Sequence, residues 1–129
     1  MALNYSEHGL QIGIKRDGET FLMELRVEGK LTHKDYELFV PFIENAIKDA
    51  KAPKIKAYID ARGFKGWDIH GAWDDLKFGL KHNREFEKIA VVGNSWLEKA
   101  GINLSKIFMH GQMRYFEDPK EAKEWLLSD

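Results

Sequence analysis

The stretch Asp60-Ala61-Arg62-Gly63-Phe64-Lys65-Gly66-Trp67 gathers a carboxylate, two cations, two glycines and two aromatic rings within eight consecutive residues. It follows an apolar run that reads as a strand, and open α/β sheets bind ligands beyond the carboxyl ends of their strands. Read as a loop from Ala61 to Trp67, it is a candidate binding site. Gly63 and Gly66 would let a ligand approach the backbone, and Arg62 and Lys65 would meet an anion over the start of the next helix. Asp60, Phe64, Trp67, His70 and Trp73 complete the candidate ligand-binding set, with Trp73 also on the stripe that a helix would bury. The plainer account is a turn whose glycines satisfy backbone geometry and whose Asp68 caps a helix. Neither a phosphate-loop nor a dinucleotide fingerprint occurs.

Catalytic constellations are harder to find. His33, His70, His82 and His110 show no HExxH-like spacing, and the acids near His70, Asp68 and Asp74, suit the first turn of a helix better than a metal cage. Ser95 follows a strand and opens a helix, but Gly93-Asn94-Ser95-Trp96-Leu97 lacks the second glycine of a nucleophile elbow. Ser95 with Glu98 reads instead as a capping box. A hydrolase would require the fold to bring His70 or His110 to Asp60 or Ser95. The expectation is therefore a domain that binds without catalysing, with no catalytic residue, metal site or cofactor.

Apolar residues off the main helix stripes suggest partners. Leu38 and Phe42 form a second ridge on the first helix, suited to a symmetric contact with another copy or to a regulator that works through protein interaction. Phe78 lies opposite its helix's buried stripe, with Lys77, Lys81, His82 and Arg84 crowding nearby. Such a face suits an anionic membrane surface or a lipophilic ligand. The competing explanation is late-helix cations complementing the helix dipole beside one exposed ring. A homodimer, a small or lipophilic ligand and peripheral contact with the inner membrane surface are the partners expected.

The chain supplies one core's worth of residues. Its 129 residues are 43% hydrophobic and 32% charged, with a formal net charge of −1. This is a globular balance, and one domain over residues 1–129 is expected. There is no broad basic field to attract nucleic acid. Cysteine is absent, which removes disulfides and thiolate chemistry and fits a reducing compartment. The start, Met1 to Gly9, is polar, and no run is long and apolar enough to span a bilayer. A cytoplasmic protein is expected.

The elements that must position these residues follow from periodicity. Leu10, Ile12 and Ile14 alternate with polar residues, as do Phe21, Met23, Leu25 and Val27, and Asp17-Gly18 between them suits a tight hairpin turn. Gly29 is expected to end the second strand. Thr32 and Asp35 then open a helix to about Ala50, which Pro41 should kink or restart. A third strand, Ile55 to Ile59, ends at Asp60, and a helix follows from about Ile69 to His82. The unbroken apolar run Ile89-Ala90-Val91-Val92 predicts a central strand covered on both faces. A third helix begins near Ser95, Met113 to Phe116 forms a short strand, and Asp118-Pro119 opens a closing helix. The order ββαβαβαβα predicts an α/β fold with a mixed, mainly parallel five-stranded sheet packed with helices.

This order resembles the STAS fold. Gly29-Lys30-Leu31-Thr32 with Asp35-Tyr36, the segment Ile59 to Trp67, Ala90-Val91-Val92-Gly93 and the closing Arg114-Tyr115-Phe116 are similar to the SpoIIAA-like family over nearly the whole chain. The resemblance implies a bacterial domain of undefined role, related in shape to modules that bind proteins, nucleotides or lipids. It departs from the anti-sigma-factor antagonists at their phosphorylated position. No Ser, Thr or Tyr occurs from Asp60 to Asn94, so no phosphorylation site and no kinase-controlled switch are expected.

Overall fold

The computed structural model describes residues 2–7, 10–67, 84–93 and 112–128, with backbone alone for 2–7, 10, 30, 31, 36, 39, 66 and 67. In chain order the elements are strands β1 (Ala2–Glu7), β2 (Leu10–Asp17) and β3 (Thr20–Leu31), helix α1 (His33–Ile47), strands β4 (Lys54–Trp67), β5 (Phe86–Val92) and β6 (Gln112–Phe116), and helix α2 (Pro119–Leu127). The helices expected near Ile69 to His82 and after Ser95 lie outside the described residues.

The alternation in β2 and β3 places Ile12, Ile14, Phe21, Met23 and Val27 in the core. Their hairpin turns at Gly18, whose φ of 62° is costly for any residue with a Cβ. Antiparallel pairing joins β1 to β2 and β2 to β3, and parallel pairing joins β3, β4, β5 and β6 in succession. The sheet order is β1-β2-β3-β4-β5-β6. The mixed sheet expected from the sequence is therefore present, with one strand more than the five expected. The addition is β1, read from sequence only as a polar start. Its pairing gives partners to the backbone groups along β2, which would otherwise form the exposed edge.

Two strands run further than their sequence suggests. Gly29 does not end β3. It adopts φ 75° within the strand, beside register shifts between Arg26 and Glu28 and between Gly29 and Lys30. Such bulges let one strand carry extra residues while pairing continues. In consequence β4 does not stop at Asp60, and residues 61–67 are strand paired to β3 and not the loop expected. Ala61 and Phe64 anchor this extension by entering the core.

Thr32 and Asp35 build the expected capping box on α1. The Thr32 backbone N–H donates to Asp35 Oδ2 at 2.9 Å, and Thr32 Oγ1 accepts from the Asp35 backbone N–H at 3.4 Å. The helix then runs through Pro41 without the expected restart. An interior proline costs about 3 kcal/mol. Burial of Ile43 and Ile47 against the sheet, each contributing about 1.5–3 kcal/mol, offsets that loss.

The two described helices serve opposite faces. On one, α1 joins the larger core, formed by the inward side chains of β2 to β5. On the other, Ala122 and Leu126 of α2 pack with Tyr58, Ala90, Val92 and Phe116. This second cover reaches β4, β5 and β6. The outward side chains of β2 and β3, including Gln11, Lys15, Glu24 and Arg26, are exposed. That half-covered face positions the candidate site.

Among the described residues no helix is long and apolar enough to cross a membrane.

Candidate functional site

Strand register sets out the open face in rows. Gln11 pairs with Arg26, and Arg26 with Asp60; in the next row Gly13 pairs with Glu24, and Glu24 with Tyr58. Gly13 contributes no side chain to an otherwise populated surface, and α2 rises beyond Tyr58. The result is a depression of about 530 Å³, within the usual range of small-molecule sites. Its floor includes Gln11, Gly13, Glu24, Tyr58, Asp60 and Arg62, while Pro119 and Lys123 form a wall.

Tyr58 is the buried member of this set, at 7% exposure. Its ring packs in the α2 core, and Lys123 Nζ stands 4.9 Å from the ring centroid, where a cation is attracted to the π face. Burial, and then the Asp60 carboxylate, push the phenol above its usual 10.0, with Glu24 adding to the effect and Arg62 opposing it. The phenol therefore keeps its proton near neutral pH. Its oxygen has no hydrogen-bond partner among the described residues, and Tyr58 lines the depression. It is available as donor and acceptor within the depression.

Asp60 and Arg62 form a two-point pair across one residue. Arg62 Nε donates to Asp60 Oδ1 at 2.9 Å and Nη2 to Oδ2 at 2.7 Å, while the Arg62 backbone N–H donates to Oδ1 at 3.2 Å. The Arg62 side-chain hydrogen bonds hold the Asp60 carboxyl below its ordinary 3.8, against the opposing effect of burial. This fork keeps Asp60 ionised and fixes the guanidinium plane. Nearby, Arg26 Nη2 pairs with Glu28 Oε1 at 2.8 Å.

Of the ligand-binding residues expected from sequence, Asp60 and Arg62 line the depression. The others divide. Phe64, at 6% exposure, is a core residue under the opposite sheet face and is not available to a ligand. A Cβ at Gly63 would meet Glu28 Cγ at 3.1 Å, so close packing of β3 accounts for this glycine. Lys65 is exposed on the β4 extension. The backbone of Trp67 pairs with Leu31, and its side chain lies outside the description, as do His70, Trp73 and the proposed membrane residue Phe78. Leu38 is half-buried, and Phe42 packs against the main core rather than standing as a free ridge.

Sequence reading passed over Gln11, Gly13, Glu24, Tyr58 and Lys123. A signal existed in Tyr58, an aromatic residue between Ala57 and Ile59 that must face the other side of the sheet from the alternating Ile55, Ala57 and Ile59. Among the described residues no cluster of His, Asp and Glu is placed to hold a metal ion.

Fold and site together define a mixed-sheet α/β domain with one sheet face only partly covered among the described residues. The chain belongs to the SpoIIAA-like family, whose model matches residues 22–127. It is similar to a solved structure from Shewanella loihica PV-4, described as an uncharacterized protein from the DUF3478 family with a SpoIIAA-like fold. The two are 40% identical with a TM-score of 0.78, over 96% of this chain and 98% of that one. No curated protein matches this chain.

Proposed function

We propose that this protein is a non-catalytic binding module that takes a small polar ligand in the depression beside α2. The observation that carries this reading is the protonated Tyr58 hydroxyl, unpartnered among the described residues, in a hollow with Asp60 and Arg62. Asp60 and Arg62 satisfy one another, which suits them to orienting a ligand more than to proton transfer. A general base needs a pKa near the working pH, and the lowered Asp60 lies far from it. The mixed polar lining favours a polar ligand over the lipophilic one expected from sequence. Absence of a hydroxyl from Asp60 to Asn94 argues that occupancy, and not phosphorylation in that stretch, would control the module.

Native mass spectrometry of the purified protein tests this reading. The wild type should carry a small bound species that Tyr58→Phe and Arg62→Ala each release while remaining folded. Retention of that species by both variants would place binding elsewhere.

A further inference from the structure

The charges around the depression do not merely balance; they balance in a pattern. Arg62 is taken by Asp60 and Arg26 by Glu28, each through contacts of 2.7 to 2.8 Å. Two lining charges remain without an ion-pair partner among the described residues, the Glu24 carboxylate on β3 and the Lys123 ammonium on α2. Both side chains are exposed, and Tyr58 neighbours both. Glu24 neighbours Tyr58 across the parallel pairing of β3 with β4, and Lys123 Nζ sits 4.9 Å from the Tyr58 ring.

We propose that the depression takes a small dipolar molecule, whose cationic group meets Glu24 and whose anionic group meets Lys123, with its middle over Gly13 and Tyr58. This rests on the depression being a ligand site. With Asp60 paired to Arg62 and Arg26 to Glu28, a simple anion would gain Lys123 but leave the Glu24 carboxylate unpaired. A simple cation would gain Glu24 but leave Lys123 unpaired. Only a ligand with both signs uses both free poles, and the Tyr58 hydroxyl supplies a hydrogen bond near its centre. Specificity then arises from the pole that a singly charged competitor leaves unpaired as much as from attraction.

The test is an NMR titration of the isotope-labelled full chain with aminocaproate, using caproate and hexylamine as singly charged controls. Aminocaproate should shift Gly13, Glu24 and Tyr58 and bind at least about tenfold more tightly than either control, a difference of about 1.4 kcal/mol. Glu24→Gln and Lys123→Met should each reduce its affinity to the level of the controls while the chain stays folded by circular dichroism, because both side chains are exposed. Equal binding of either control would overturn the dipolar assignment. So would absence of shifts from all three compounds; the depression would still stand as a binding site if Tyr58→Phe released the co-purified species.

Discussion

Replacing Gly13 with valine separates a hollow kept for binding from one that is merely tolerated. The residue sits mid-strand on β2, between Asn4 of β1 and Glu24 of β3 in the paired register, and its φ is not in the left-handed region. Backbone geometry therefore does not demand glycine there. Glycine within a strand costs roughly 0.5–1 kcal/mol relative to alanine, chiefly through unfolded-state entropy. Valine adds strand preference to this. Gly13→Val should consequently stabilise the fold by about 0.5–1 kcal/mol, raising Tm by roughly 2–5 °C for a domain of this size. Its isopropyl group would also occupy the floor of the depression, so ligand affinity should fall at least about tenfold. Thermal unfolding followed by circular dichroism, with the aminocaproate titration run on the same sample, measures both effects. Loss of more than about 1 kcal/mol of stability would show that packing requires the glycine. Unchanged binding would show that the ligand does not sit over β2.

Other consequences follow from neighbouring residues. Phe64→Ala should cost about 3–5 kcal/mol in chemical denaturation, as expected for removing a buried ring; a cost below about 1 kcal/mol would contradict its place in the core. Lys88, 7% exposed, donates from Nζ to Trp125 O at 3.1 Å, Ser128 O at 2.7 Å and Ser128 Oγ at 3.1 Å, tying the end of α2 to β5. Lys88→Met should destabilise by about 1 kcal/mol through loss of the tie from β5 to Ser128 at the end of α2, and an unaltered denaturation midpoint would refute that role. Asp60 should titrate below 3.8 in carbon-detected NMR, and Arg62→Ala should raise its midpoint. Because the folded state lowers this pKa, the associated stability is present above the unfolded value and is lost as pH falls through the folded one. A midpoint unmoved by Arg62→Ala would contradict the pairing.

Much of the architecture was legible because local chemistry and tertiary packing agree. The alternating β2 and β3, the turn at Gly18, the Thr32 cap and the buried run of β5 each announce one structure and adopt it. Disagreement arises where pairing overrides local signals. Gly29 looks like a terminator, yet it pairs with Phe64 while β4 carries the extra residues of the neighbouring bulges, and the glycine-rich stretch after Asp60 looks like a loop, yet β3 supplies its pairing partner. Among the described residues, Asp60 and Arg62 are the expected binding residues that line the depression, and its other walls come from β2, β3 and α2. No spacing along the chain brings Gly13, Glu24, Tyr58 and Lys123 together. Strand order and the limited reach of α2 do so.

The central claim is that recognition occurs on the open sheet face beside α2. Chemical-shift mapping of the labelled protein against the small-molecule extract of its producing cells tests it most directly. Shifts clustered on Gln11, Gly13, Glu24, Tyr58, Asp60 and Arg62 are predicted; shifts confined to the α1 face, or no shifts at all, would contradict it.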